Sequence, residues 1–348
     1  MLIYWVNLCL VFIWTLGFKI FNKTSSQKLM NILFIQLLLL LVLRDYSVGS
    51  DTAAYISLFE RINLYPFFNF DISRHEAGYI LLNKIIGLFT QNKQIFISVM
   101  AFFPLMLFFR FIKKESKIKW LSVVLFITLG FYTNTFNWFR QIIAMALIVN
   151  SIEYVKTNQF KKFIGITIIA SLFHFTALAF IPIYFIRNIR INIKTITIYA
   201  FMGVFIFFFS RPIINIVASL FATYEYTLDS GGGTTFLLIL IMILFFSLFF
   251  KKNILSVSPE QQVYYHILFF AILFQLLALE FGLVTRVVRY FSIFLIVFIP
   301  NTIYYLRDKY ITILGLSLVC VLTLLIYYNS LLNDISSITP YKFFFMYR

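Results

Sequence analysis

The stretch "NTFNWFRQIIAMALIVNSIEYV", residues 134–155, sets a permanent cation, Arg140, and an amide, Gln141, near the start of a run apolar enough to span a bilayer. Asn137, Arg140, Gln141 and Ala144 recur at i, i+3, i+4 and i+7, which puts them on one helix face. An ionisable side chain at membrane depth costs about 2.5 to 3.5 kcal/mol on insertion scales, so it faces a bundle interior and a partner. The competing reading has Arg140, close to a helix end, snorkelling to lipid headgroups.

The whole chain is built like this stretch. Of 348 residues, 61% are hydrophobic and 12% charged, more apolar surface than one soluble core could hide. The expected fold is an all-α polytopic membrane bundle. Cys9 and Cys320 both lie in apolar runs, which leaves no basis for a disulfide framework or a thiolate metal cluster. The first run, "LIYWVNLCLVFIWTLGF" (2–18), has no basic stretch before it and no small-residue cleavage site after it, so it reads as a retained helix.

A net charge of +16 raises the question of nucleic acid. The cations, however, gather in short loops at 19–28, 110–119, 156–162, 187–194, 251–253 and 307–309, the bias of cytoplasmic loops. No basic face with polar or aromatic readout accompanies them, so no nucleic-acid partner is expected. With roughly 15 to 20 residues per span, crossings fall near 2–18, 29–43, 94–112, 120–134, 137–155, 195–210, 234–250, 262–280, 286–306 and 311–328. About ten crossings leave both termini outside, with outer loops at 44–75 and 211–233 and a polar tail. No repeat or linker divides 1–348, so one integral-membrane domain is expected.

Two apolar segments do not fit that count. "FIGITIIASLFHFTALAFIPIYFI" (163–186) is flanked by basic clusters on both sides, so it is expected to be a hairpin of half-helices turning at His174. "EAGYILLNKIIGLFT" (76–90) must begin and end outside and reads as re-entrant or interfacial. Non-crossing segments survive at membrane depth only when packed in protein or lining a wet cavity. A cavity opening outward is the consequence.

The expensive charges collect near that cavity. "GLVTRVVRYFSIF" (282–294) places Arg286, Arg289 and Tyr290 at i, i+3 and i+4, and Arg44 and Arg211 sit at outer boundaries. Arginines gathered where cations are disfavoured argue for an anion, and their planar forks suit phosphate. Acids lie on the same side: Asp45, Asp51 and Glu60 in the loop, with Gly49 allowing a tight turn, and Glu76 on one face with Tyr79 and Asn83. Asp51 and Glu76 could equally be plain helix starts. His174 stands amid aromatic residues, where a satisfied structural imidazole is as reasonable as a catalyst. No DxD, paired-His or CxxC spacing offers a divalent metal its ligands.

The motifs "RDYSVGSDTAAY" (44–55), "EAGYILLNKI" (76–85), "NWFRQIIAMAL" (137–147), "FHFTALAFIPIYF" (173–185) and "RVVRYF" (286–291), in this order, resemble the EpsG-like, Wzy-type polysaccharide polymerases of bacterial capsule, exopolysaccharide and O-antigen clusters. The resemblance implies a GT-C-like outer cavity in the bacterial cytoplasmic membrane. There, polyprenyl-diphosphate-linked oligosaccharide units, donor and acceptor, would be joined without cofactor or metal. A flippase and a chain-length regulator would be partners. On the matching motifs, Arg140, Arg286, Arg289 and Arg44 would hold the diphosphate. The base would be Asp51, Glu76 or His174, and Gln141, Tyr290, Asn137 and Tyr55 would orient substrate. A lipid-linked oligosaccharide flippase would share the cationic cavity but should open to both sides and often carries inverted repeats. A membrane O-acyltransferase would rest on His174, yet cytoplasmic depth holds no candidate catalytic group.

Overall fold

The computed structural model describes residues 1–20, 26–70, 75–220, 232–306, 308–334 and 336–346. The order begins α1 Leu2–Ile20, α2 Ser26–Val42, α3 Thr52–Asn63, α4 Ala77–Phe89, α5 Lys93–Glu115, α6 Lys119–Thr128, α7 Phe131–Asn134, α8 Phe139–Lys156 and α9 Phe160–Ser171. A 3-10 turn at Phe175–Phe180 leads to α10 Pro182–Ile186, α11 Ile193–Leu220, α12 Thr234–Phe249, α13 Lys251–Val257, α14 Gln262–Ala278, α15 Thr285–Ser292, α16 Leu295–Tyr304 and α17 Lys309–Asn333.

Five helices are long and apolar enough to cross a membrane, or seven if two bent pairs, α12 with α13 and the Gly282–Ser292 segment with α16, each count as one span. These seven match seven of the ten expected crossings. The other three correspond to α2, to α6 with α7, and to α8. At 17 residues α2 is slightly short, and α6 has only 10. The 18 residues of α8 include Arg140, Glu153 and Lys156. The centre lies at α5 and α14, whose apolar windows are 56% and 67% buried, against 22% for α1 and 17% for α17. The peripheral α1 turns one face inward, Tyr4, Asn7, Leu8 and Val11 at i, i+3, i+4 and i+7, and leaves the rest for lipid.

One expected boundary moves. The loop placed at 211–233 does not begin at Arg211, because α11 continues to Leu220. The apolar run after Pro212 keeps its helical pattern, and the missing proline amide is accommodated by a bend at Phe209 (φ −111°). Residues 221–231, with Tyr226, lie outside the described residues, as do 71–74 of the loop 44–75 and Arg307 of the last basic loop.

The segment 163–186 is broken where the sequence placed its turn: α9 stops at Ser171, and His174 is extended (φ −157°, ψ 111°). A single crossing would hold its ends about 30 Å apart. Instead the Tyr184 hydroxyl donates to Asn158 Oδ1 at 2.9 Å, and its ring stacks on Phe163 with centroids 5.2 Å apart. The two arms of the segment lie side by side. Likewise the 13 residues of α4 reach about 20 Å at 1.5 Å per residue, short of a span. Its start meets Arg140 at one end of the bundle. Just past its far end, Gln94 Nε2 donates to the Arg44 carbonyl at 3.1 Å, at that same end.

Polar contacts gather at the two ends of the bundle. At the end carrying the basic loops, Lys113 donates to Asn31 (2.9 Å), Arg110 to Asn150 (2.6 Å), Tyr264 to Glu115 (2.8 Å) and Lys251 to the Ile191 carbonyl (2.8 Å). At the opposite end the tail after α17 straps the loop that follows α2. The amides of Asp45, Gly49 and Ser50 donate to the carbonyls of Lys342, Ser337 and Ser336 at 2.8, 2.9 and 3.0 Å. The Tyr4 hydroxyl of α1 donates to the Ile338 carbonyl of the strap, and the Tyr341 hydroxyl of the strap donates to the Leu40 carbonyl of α2.

Under the strap Arg44 is fully buried. Its Nη1 donates to the carbonyls of Val48 (3.0 Å) and Phe136 (2.7 Å), and its guanidinium carbon lies 4.8 Å from the Phe136 ring centroid. Burial lowers its pKa to about 10, so it stays charged at neutral pH. Arg44→Ala should leave the Val48 and Phe136 carbonyls to share the single Thr52 hydroxyl proton, and open a cavity, costing about 2 to 5 kcal/mol. The measurement is the thermal midpoint of the detergent-solubilised protein, and an unchanged midpoint would show that the strap does not depend on Arg44.

Candidate functional site

A second, smaller core carries the site. Ile56, Phe59 and Ile62 of α3 and Tyr79, Ile80 and Ile86 of α4 pack on Phe96, Ile97 and Met100 of α5 and on Phe139 and Ile143 of α8. These contacts fix the first turns of α3, α4 and α8 beside one another. Two close approaches require glycine. A Cβ on Gly78 would lie 2.8 Å from the Leu172 carbonyl oxygen, which accepts the Gly78 amide at 2.9 Å, so α4 begins directly against the hairpin tip. Gly49 has φ +109°, and a Cβ there would stand 2.6 Å from Asn137 Oδ1. The tight turn before Asp51 is therefore real.

Where those helices start, Arg140 Nη1 meets Glu76 Oε2 at 2.5 Å, both side chains roughly one-fifth exposed. Glu76 Oε1 accepts the Phe175 amide at 3.3 Å. One carboxylate thus ties together α4, α8 and the hairpin. Neither acid is a helix cap through its side chain, although Asp51 precedes α3 and Glu76 precedes α4. Among the described residues Asp51 Oδ1 accepts only the Ser50 hydroxyl (3.0 Å).

An open groove of about 530 Å³ is lined by Asp51, Tyr55, Ser57, Arg61, His75 and Arg140 among others. Arg140 Nε is buried without a partner among the described residues. Tyr55 stacks on Phe139 with centroids 4.8 Å apart, which holds its hydroxyl end beside Arg140.

The other expected site residues take different places. Arg286 is exposed, and its carbonyl accepts Gln141 Nε2 at 2.8 Å, so Gln141 joins α8 to α15. Asn137 is 1% exposed and donates to the Ser336 carbonyl at 3.0 Å, locking the strap rather than facing the groove. His174 is buried at the hairpin break, its Nδ1 2.6 Å from the Thr176 hydroxyl and its ring 6.3 Å from that of Tyr290, which is itself buried. Burial pushes the His174 pKa down while the Glu76 carboxylate pulls it up, and the net direction is downward. Arg289 lies among aromatic rings, its guanidinium carbon 5.7 Å from each of the Phe131, Trp138 and Phe236 ring centroids. Arg44 does not reach the groove at all.

Sequence reasoning missed Ser57, Arg61 and His75 in the groove wall. For α3 the signal was present, because Asp51, Ala54, Tyr55 and Leu58 sit at i, i+3, i+4 and i+7 and Arg61 continues that face. Among the described residues no three His, Cys, Asp or Glu side chains come together.

A sequence model of the EpsG family matches residues 27–343. The chain belongs to the EpsG family. No curated protein and no solved structure matches it. EpsG membership points to a polysaccharide polymerase role, glycosyltransferase-like, acting on a lipid-linked sugar at a membrane. The several apolar helices agree with a multi-pass membrane protein. The EpsG match runs from α2 to the strap, and so contains the groove, the Arg140–Glu76 pair and the segment that fixes Gly49.

Proposed function

We propose that this chain polymerises polyprenyl-diphosphate-linked oligosaccharide repeat units at the outer face of the bacterial cytoplasmic membrane, in a GT-C-like bundle of about ten crossings. The observation that carries the reading is Arg140, paired with Glu76, on the wall of a groove that also holds Asp51, whose carboxylate makes no helix-capping bond, in a chain of the EpsG family.

In this scheme a hydroxyl at the non-reducing end of the incoming unit attacks the anomeric carbon of the growing chain. The new glycosidic C–O bond forms as the bond from the anomeric carbon to the diphosphate oxygen breaks. Asp51 takes the hydroxyl proton, since its carboxylate forms no ion pair among the described residues and lines the groove. Glu76 is less suited, because Arg140 occupies it. His174 is a weak base by its lowered pKa. The leaving diphosphate keeps the bonding electron pair, and Arg140 and Arg286 neutralise it. Arg289 supplies a further cation held by its three rings.

Mixing the purified protein with lipid-linked repeat units tests the activity. A ladder of polymer is expected; translocation without bond formation would mean a flippase, and acylated sugar an acyltransferase. For orientation, single cysteines at Lys114, Lys161, Arg190 and Lys252 should react only from the cytoplasmic side, and cysteines at Asp51 and in the tail only from outside. Opposite accessibility of Lys161 and Arg190 would mean that 163–186 crosses the membrane.

A further inference from the structure

At the strapped end of the bundle a second polar groove, of about 620 Å³, lies between the α4–α5 turn and the tail. Its walls include Asp45, Tyr46, Gln91, Asn92, Gln94 and Phe344. We infer that this groove is a saccharide-binding site that holds a stretch of the polymer away from the reacting bond. The inference rests on the polymerase reading.

A sugar presents alternating hydroxyls around its rim and an apolar C–H face. The groove offers a matching set: an acid, three carboxamides and two aromatic rings, with Tyr46 about half exposed. Each polar side chain has one end tied to the fold. Asp45 Oδ1 accepts the Ser47 amide (2.9 Å), Gln91 Nε2 donates to the Gly87 carbonyl (3.1 Å), and Asn92 Oδ1 accepts the amides of Gln94 and Ile95 (2.8 and 3.2 Å). Gln94 Nε2 donates to the carbonyls of Val42 and Arg44. The second ends, Asp45 Oδ2, Gln91 Oε1, Asn92 Nδ2 and Gln94 Oε1, make no bond among the described residues. Acceptors and a donor are thus held in fixed directions before a ligand arrives, which lowers the ordering cost of binding.

Charge argues against a diphosphate in this groove. Lys93 is paired with Glu60 at 2.9 Å, the Asp45 carboxylate offsets the charge of Lys342 on the same wall, and no arginine is among the described lining residues. A neutral or weakly charged glycan fits better. The groove is also connected to the reacting end. Asp45 at its edge and Gly49 and Ser50 beside Asp51 hang from the same tail through the carbonyls of Lys342, Ser337 and Ser336.

Saturation-transfer NMR on the nanodisc-embedded protein tests the inference, with oligosaccharides of two to four repeat units released from the host's own surface polysaccharide as the probe. Wild type should bind them, and Tyr46→Ala combined with Gln91→Ala should weaken binding at least 10-fold. Both side chains are at the surface, so thermal midpoint and first-bond formation should hold while the products become shorter. Asp51→Asn should bind the probe as wild type does. Binding that survives the groove variant, or that is lost only in Asp51→Asn, would overturn the inference. Polymerase failure appears separately, as an absent ladder from wild type whatever the probe does.

Discussion

Asp51→Asn is expected to lower polymer formation by about 100- to 10,000-fold, the usual contribution of a general base, at unchanged membrane abundance and with lipid-linked donor still bound. The amide is isosteric, and asparagine caps helices about as well as aspartate. If Asp51 only started α3, the variant would be active. The structure weighs against that role, since the carboxylate makes no capping bond and faces a groove. Glu76→Gln should be milder, because glutamine still accepts the Phe175 amide while losing the charge opposite Arg140. His174→Asn should be milder again. A dead His174→Asn beside two active amide variants would move the proton transfer to the imidazole.

The second large effect is at Arg140. Removing one preorganised donor to a developing charge typically costs about 100- to 1000-fold in turnover, and Arg140→Lys should fail nearly as badly as Arg140→Ala. A lysine offers a point charge where the site uses a planar guanidinium, one nitrogen of which meets Glu76. Each single variant also leaves Glu76 imperfectly paired, so abundance could fall for structural reasons. The double variant Arg140→Ala/Glu76→Gln separates the two effects. It should recover folding and abundance without recovering turnover. Recovered turnover would make the pair a tether and nothing more.

Much of the architecture was legible because apolar length and basic loops are written directly in composition. The hairpin at 163–186 could be read from basic clusters on both sides of one apolar run, and the break falls at His174. Tertiary fate was not legible. Arg44 and Arg140 look alike in sequence, each a cation at an outer boundary near Asn, Asp or Gly. One is sealed beneath the strap and spends Nη1 on two carbonyls, while the other meets an acid and a groove. The difference lies with the tail, whose pairing with 44–50 uses backbone amides and so leaves no side-chain pattern to find. Asn137 and Gln141 share the Arg140 face as expected, yet their amides join structural elements, because a helix face does not tell which neighbour will meet it. His75 belongs to no periodic pattern in the sequence, and the packing of α3 against α4 brings it to the groove wall.

In the proposed reaction the bond between sugar and lipid diphosphate breaks as the glycosidic bond is made. Following polyprenyl diphosphate by ³¹P NMR, alongside bond count by mass spectrometry, in nanodiscs supplied with lipid-linked repeat units tests this most directly. The account predicts one polyprenyl diphosphate released per new glycosidic bond for wild type, and neither product from Asp51→Asn over the same time. Glycosidic bonds without diphosphate release, or equal release from Asp51→Asn, would contradict it.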